Sequence, residues 1–249
     1  MCIRDSIIYT AMTGANAAAQ RQAVLSNNLA NASTNGFRAE LSTFRAVPVR
    51  GDGASTRVMA LEATPGHLDT PGSAQRTGRS LDAMTTGNSW FAVQALDGTE
   101  SYTRNGSFEV GSDGTLKTSN GLTVLSDGGS PISVPAGAEV AIGFDGNLSA
   151  KVGNQPPTGV GRLKLVTPTV DDPLKRSTDG LFRATSGDPL PNDTNARVQV
   201  GALEGSNVNA IETMVGMIQT ARQFETQMRL LQTAESNDRS AAQLLGLQG

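Results

Sequence analysis

His67 is the only histidine in this 249-residue chain, and in Thr64-Pro65-Gly66-His67-Leu68-Asp69 it stands two residues from a carboxylate. With one of the many serines it could form a general base and nucleophile. No serine is placed to show that role, and a lone histidine among Pro and Gly reads as a solvated loop residue. Asp171 and Asp172 are the other acid/base candidates. Beside Pro173 in a polar stretch they read as a solvated bend, because an acid/base pair needs a defined separation that adjacency in sequence does not supply. A β-rich hydrolase using His67 or this aspartate pair is therefore a distant alternative, and no catalytic residue is assigned.

Metal and phosphate chemistry fare no better. One His and one Cys leave only carboxylates as ligands, and no Asp-x-Asp-x-Asp-Gly calcium loop occurs despite the many Asp-Gly pairs. Gly51-Asp52-Gly53 and Gly159-Val160-Gly161 lack the third glycine and the strand-to-helix context of a phosphate cradle, so both read as flexible loops. Asn31-Ala32-Ser33, Asn105-Gly106-Ser107, Asn147-Leu148-Ser149 and Asn192-Asp193-Thr194 match the glycan acceptor pattern, but no secretory signal accompanies them. No cofactor, metal or modification is expected.

Composition narrows the classes further. A net charge of −3 with a pI near 5.2 gives no clustered excess of Lys and Arg to neutralise phosphates, so no nucleic-acid partner is expected. Aromatics are 4% and charged residues 17%, against 28 glycines, which describes a turn-rich chain of small residues. Cys2 alone excludes an internal disulfide, so packing must hold the fold. No stretch reaches the roughly 20 apolar residues that span a bilayer, and no signal-like block opens the chain. Direct membrane insertion and the general secretory route are both unexpected. Residues 1–6 have no structural use in this reading and are expected to be a leader or a non-native scar.

What remains is organisation. From Ile8, the positions Ala11, Ala15, Ala18, Gln22, Leu25 and Leu29 alternate steps of three and four. The same rhythm runs through Ala210, Met214, Met217, Ala221, Phe224, Met228 and Leu231, falters at Glu235 and Asp238, and resumes at Ala242 and Leu245. Each is the seam of a helix that packs along another helix. The first helix is expected from about Asp5 or Ser6 to about Asn31, with Gly14 its one weak point. It ends where Asn31-Ala32-Ser33-Thr34-Asn35-Gly36 replaces helix formers with turn residues. The second is expected from a Ser206 or Asn207 cap nearly to Leu245. Its greater length leaves apolar surface that another molecule must cover. Methionines 214, 217 and 228 fill its seam.

Between the helices, residues 40–81 read as an extended connector with one or two edge strands. Asp-Gly or Asn-Gly pairs then begin at 97, 105, 113, 120, 127 and 145, marking tight turns. Between and beyond them lie strand-like runs at 90–96, 101–104, 107–110, 115–118, 122–125, 139–144, 162–167, 181–184 and 197–203. The turn spacing predicts a β-meander. The fold class is thus α+β, with long N- and C-terminal helices forming a coiled-coil-like stalk and a central, mostly antiparallel β-domain. The division is 1–36 for the first helix, 37–204 for connector and β-domain, and 205–249 for the second helix.

Particular strings carry a resemblance. Ala11-Met12-Thr13-Gly14-Ala15 and Ser26-Asn27-Asn28-Leu29-Ala30-Asn31-Ala32-Ser33-Thr34-Asn35-Gly36-Phe37-Arg38 closely resemble the N-terminal signature of bacterial flagellar rod and hook proteins. Thr77 to Asp82, Gly87 to Val93 and Tyr102 to Phe108 look like the family's core β-domain. Leu203-Glu204-Gly205-Ser206-Asn207-Val208-Asn209, Met214 to Ile218 and Leu231 to Glu235 are similar to its terminal helix. The length, the Phe44-Arg45-Ala46-Val47-Pro48-Val49 run and the short middle look most like members from the proximal rod. Distal-rod and hook-type axial members are the alternative within the family, and a free-standing β-rich binding module is a more distant one.

The resemblance implies a structural subunit, not an enzyme, exported by the flagellum's own apparatus without a cleaved signal. Its expected location is the periplasm-spanning rod of the basal body. Its expected partners are that export apparatus, neighbouring rod proteins and copies of itself, stacked helically into a tube that transmits torque. The termini are expected to order only when neighbours bury them. The implied assembly interface comprises Ile8, Ala11, Ala15, Ala18, Leu25, Asn27, Asn28, Leu29, Asn31, Gly36, Phe37, Met214, Met217, Ala221, Phe224, Met228 and Leu231.

Overall fold

The structure, a computed structural model, describes residues 3–48 and 58–246. Cys2, the end of the Phe44–Val49 run and the Gly51-Asp52-Gly53 loop lie outside the described residues, as do the side chains of Asp238, Ala242 and Leu245. The fold is α+β, with one N-terminal helix, one C-terminal helix and a mostly antiparallel β-region between them. The described residues divide into two compact units. One draws on Met1–Ala30, Glu40–Gly66 and Asn209–Gly249, the other on Asn31–Ala39 and His67–Val208.

The first unit holds α1 (Ile3–Ala30), α2 (Ala210–Gly246) and a two-stranded sheet of β1 (Glu40–Pro48) and β2 (Val58–His67). The stretch read as an extended connector with one or two edge strands thus holds two strands, paired with each other. Along α1 the seam falls as the spacing predicts, with Ala11, Ala15 and Ala18 at 5%, 6% and 3% exposure. Gly14 sits under the Gln227 side chain and Gly216 under Leu25. Eleven residues forward on α1 therefore correspond to eleven backward on α2, so the helices run antiparallel. Small residues on both sides bring the two backbones close.

On α2 the seam is not where apolarity put it. Thr213 and Thr220 are buried at 8% and 2% while Gln227 packs on Gly14, yet Met214 and Met228 are 49% and 39% exposed and Ala221 is exposed too. Two conditions decide this phase. The α1 face is alanine, so its partner must be small, and threonine hydroxyls can satisfy themselves on the preceding turn, as Thr213 Oγ1 does on Asn209 O and Thr220 Oγ1 on Gly216 O, both at 2.8 Å. The larger methionines turn outward. The cap is also later than expected: Asn209 Oδ1 accepts the Ile211 and Glu212 N–H groups at 3.1 and 3.3 Å.

The second unit contains β3 (Ala74–Arg76), β4 (Ala83–Thr85), β5 (Trp90–Gln94), β6 (Glu100–Thr103), β7 (Phe108–Val110), β8 (Leu116–Thr118) and β9 (Thr123–Val124). It continues with β10 (Glu139–Ile142), β11 (Asn147–Lys151), β12 (Thr158–Arg162), β13 (Leu165–Val166), β14 (Leu174–Arg176), β15 (Phe182–Ala184), β16 (Val198–Val200) and β17 (Ala202–Glu204). Strand β5 is central. Its run Trp90-Phe91-Ala92-Val93 is apolar at every position, which marks a strand covered on both faces. Phe91 and Val93 face a core with Phe108, Leu116, Val124, Leu148 and Leu165, while Trp90 and Ala92 face another with Tyr102, Val166, Leu174 and Phe182.

The order of the large sheet is β14-β15-β6-β5-β9-β8-β7, with β13 also on β5, so the expected meander is broken. Strand β7 does not follow β6; β9 returns beside β5 instead. Four of the turn pairs do close hairpins, with Gly98, Gly114, Gly121 and Gly146 at positive φ. The pair Asn105-Gly106 does not, because Gly106 packs on the Ala83 carbonyl, where a Cβ would collide. The expected strand at 197–203 is cut in two by Gly201 at φ 70°, and its halves pair β4 and β3 respectively.

Candidate functional site

The catalytic candidates resolve into structural roles. His67 is not solvated: its Nε2 is 2.9 Å from Asp69 Oδ1, and its ring packs edge-on against Phe182 and Trp90 at 4.8 and 6.4 Å. Burial pulls its pKa below the ordinary 6.5, opposed by the Asp69 charge. The small cavity beside it is lined by Asn88, Pro168, Thr169 and Val170 and includes no serine. Asp172 accepts the Ser186 N–H and Oγ–H at 2.9 and 2.6 Å, and these bonds lower its pKa. It fastens a loop. Among the described residues no three His, Cys, Asp or Glu side chains gather into a metal-holding group, and no helix is long and apolar enough to cross a membrane.

The most heavily built polar constellation lies elsewhere, at Arg38, Arg104 and Glu204, whose side chains are each 1% exposed. Arg38 Nη2 is 2.8 Å from Glu204 Oε1 and Arg104 Nη1 is 3.3 Å from Glu204 Oε2. The guanidinium carbons lie 5.8 and 5.2 Å from the Trp90 ring centroid. Arg38 also donates to the Thr70 carbonyl and Arg104 to Thr85 Oγ1 and, at 2.6 Å, to the Gly87 carbonyl. Burial lowers both arginine pKa values, Arg104 to about 10, with Glu204 opposing the shift in each case. Two buried cations sharing one carboxylate and one aromatic face can recognise no substrate. What they can do is hold three chain segments together.

The signature residues fall into place around this cluster or on α1. Asn28 is buried and exchanges hydrogen bonds with the Glu40 backbone, donating to its carbonyl at 2.9 Å and accepting its N–H at 2.8 Å. Asn27 Nδ2 donates to Glu40 Oε2 at 3.2 Å. Asn31 makes the turn after α1, accepting the Thr34 N–H at 3.1 Å. Gly36 has φ 70°, and a Cβ there would strike the backbone of Arg104 and Asn105. Phe37 is 8% exposed beneath the Arg176 guanidinium at 4.5 Å. Leu25, Leu29, Met217 and Leu231 are half-buried along the helices, as is Ile8.

Sequence reasoning missed Arg104, Glu204 and Asn207 as a set. Their one signal was a charged residue at the edge of each of two strand-like runs, Arg104 closing 101–104 and Glu204 following 197–203. It also missed Ile211, Val215, Ile218 and Leu230 of α2, which are 77%, 48%, 55% and 51% exposed. Ile211, Val215 and Ile218 share a side of the helix with the exposed Met214, and monomeric proteins seldom leave such a cluster of large apolar side chains in water.

Comparison with known proteins matches three stretches of the chain. Residues 8–38 match the family described as flagella basal body rod protein, residues 84–150 the flagellar hook protein FlgE/F/G D1 domain, and residues 199–244 the flagellar basal body rod FlgEFG protein C-terminal region. The flagellar basal-body rod proteins FlgF of Salmonella typhimurium and of Escherichia coli are each 46% identical, over 98% of this chain and 99% of theirs. The rod protein FlgG of Buchnera aphidicola from Acyrthosiphon pisum is 30% identical, over 95% of this chain and 98% of its own.

Proposed function

The chain belongs to the flagellar basal-body rod protein family and is a structural subunit of that rod, and from this premise we propose that its place is the proximal rod. The observation that carries the proposal is the 46% identity to FlgF of Salmonella typhimurium and of Escherichia coli over nearly the whole of both chains. In this reading α1 and α2 form a coiled-coil-like stalk that packs into a helical tube. The exposed apolar side chains Ile211, Met214, Val215 and Ile218 of α2 pack against copies of this chain and against neighbouring rod proteins. The predicted interface residues Met214, Ala221, Phe224 and Met228 are exposed and accessible to a neighbour. The β-unit stiffens a torque-bearing rod crossing the periplasm.

Burial of α2 between subunits offsets the entropy of ordering the terminal helices, which is why they need not be stable alone. The chain leaves through the flagellar export apparatus without a cleaved signal and performs no catalysis. The test is complementation in Salmonella. The full chain is expected to restore swimming to a strain lacking FlgF but not to one lacking FlgG, and deletion of residues 210–249 is expected to abolish the rescue. Rescue of the FlgG-deficient strain alone would move the protein to the distal rod, and normal swimming by the truncated form would sink the assembly role of α2.

A further inference from the structure

Three segments of the β-unit meet along their backbones: residues 36–39, 67–73 and 202–207. Gly36 N–H donates to the Glu204 carbonyl at 2.7 Å, Asn207 N–H to the Phe37 carbonyl at 3.3 Å, Leu68 N–H to the Ala39 carbonyl at 2.9 Å and Gly205 N–H to the Ser73 carbonyl at 2.8 Å. The Asn207 side chain joins all three segments. Its Oδ1 accepts the Ala39 N–H at 2.7 Å, and its Nδ2 donates to the Leu68 and Thr70 carbonyls at 3.0 and 2.8 Å. Glu204 Oε1 accepts the Gly72 N–H at 3.0 Å while pairing with Arg38. The chain passes between the two units at 30/31, 39/40, 66/67 and 208/209, and the last three crossings each lie within two residues of one of these bonds.

We propose that these residues form a clasp that closes the β-unit without help from the helices, so that Asn31–Ala39 and Glu204–Val208 are folded in the free chain. The boundary of ordering then falls at Ala30 and Asn209, and not at the ends of the signature strings near Phe37 and Glu204. The reason is the buried charge. Peeling residues 31–39 away would remove Arg38 from Glu204 and expose the site where Arg104 is held at 1% exposure, so the segment opens only with the surrounding core. A segment of this kind exchanges its amides with the global unfolding event, whereas a fraying terminus exchanges freely. The placement of the boundary rests on the reading that the helices order on assembly; the closure of the clasp does not.

Hydrogen exchange on the full chain at low concentration tests this. Peptides covering residues 36–39 and 204–207 are expected to be as protected as residues 90–103 of the central strands, about a hundredfold or more slower than unstructured chain. Asn207→Ala is expected to speed exchange at 37–39 and 68–70 at least about tenfold. If that variant loses protection throughout the β-unit, the clasp is part of its cooperative core, which also supports the proposal. Exchange of residues 36–39 at the unstructured rate in the unsubstituted chain overturns it, as does unchanged protection at 36–39 in both Asn207→Ala and Glu204→Gln. Strongly protected helices at low concentration would remove the order-on-assembly reading and leave the clasp standing.

Discussion

Arg38 and Glu204 lie 2.8 Å apart with both side chains 1% exposed, so residues 166 positions apart in sequence form one ion pair in the interior of the β-unit. A buried pair of this kind is poor evidence of net stabilisation, but its disruption is costly because the partner is left charged and dry.

Glu204→Gln leaves Arg38 and Arg104 buried with no acid between them. The expected loss is about 3–5 kcal/mol, read as a shift of the denaturation midpoint of the β-unit. A loss below about 1 kcal/mol would mean that water reaches the cluster.

Gly36 and Gly98 share a left-handed backbone, at φ 70° and 82°, but differ in surroundings. A Cβ at Gly98 meets nothing within 4 Å, while one at Gly36 strikes the Arg104–Asn105 backbone. Gly98→Ala is expected to cost about 1 kcal/mol from conformation alone. Gly36→Ala is expected to cost clearly more, because packed backbone must also shift. Equal melting temperatures for the two variants would refute the close approach.

His67 supplies a pH dependence of definite sign. Its folded pKa lies below the ordinary 6.5, so the unfolded chain binds a proton first as the pH falls. Stability from this group is full above about pH 6.5 and declines as the pH drops toward the folded pKa. His67→Gln is expected to flatten the denaturation-midpoint profile in that window. An unchanged profile would show that other groups set it.

On α2, position decides consequence. Ile218→Asp alters a side chain that is 55% exposed and is expected to change the stability of the free chain by no more than about 0.5 kcal/mol while abolishing swimming in the complementation assay. Ala15→Asp places a carboxylate at a site that is 6% exposed against the facing helix and is expected to weaken the helix pair that assembly orders, read as loss of rescue in the complementation assay with the hydrogen-exchange protection of the β-unit unchanged. If Ile218→Asp swims normally, that part of the apolar face contacts no neighbour.

Local chemistry fixed a good deal of this protein in advance. Ala11, Ala15 and Ala18 announced the α1 seam because a helix repeats its faces every three to four residues, and the pairs at 97, 113, 120 and 145 announced hairpins because glycine alone takes positive φ without strain. The three signature strings sufficed to point to the family. The rest depended on which surfaces met. The α2 seam shifted from Met214, Ala221 and Met228 to Thr213, Thr220 and Gln227 because much of the facing seam on α1 is alanine and glycine, a fact of the partner and not of α2. Strand β15 took the place beside β6 that a meander would give β7, and Gly106 served a close approach where a turn was expected. The union of Arg38, Arg104 and Glu204 was invisible in sequence, because each charge looks solvated until the fold removes the water and leaves only the others as partners.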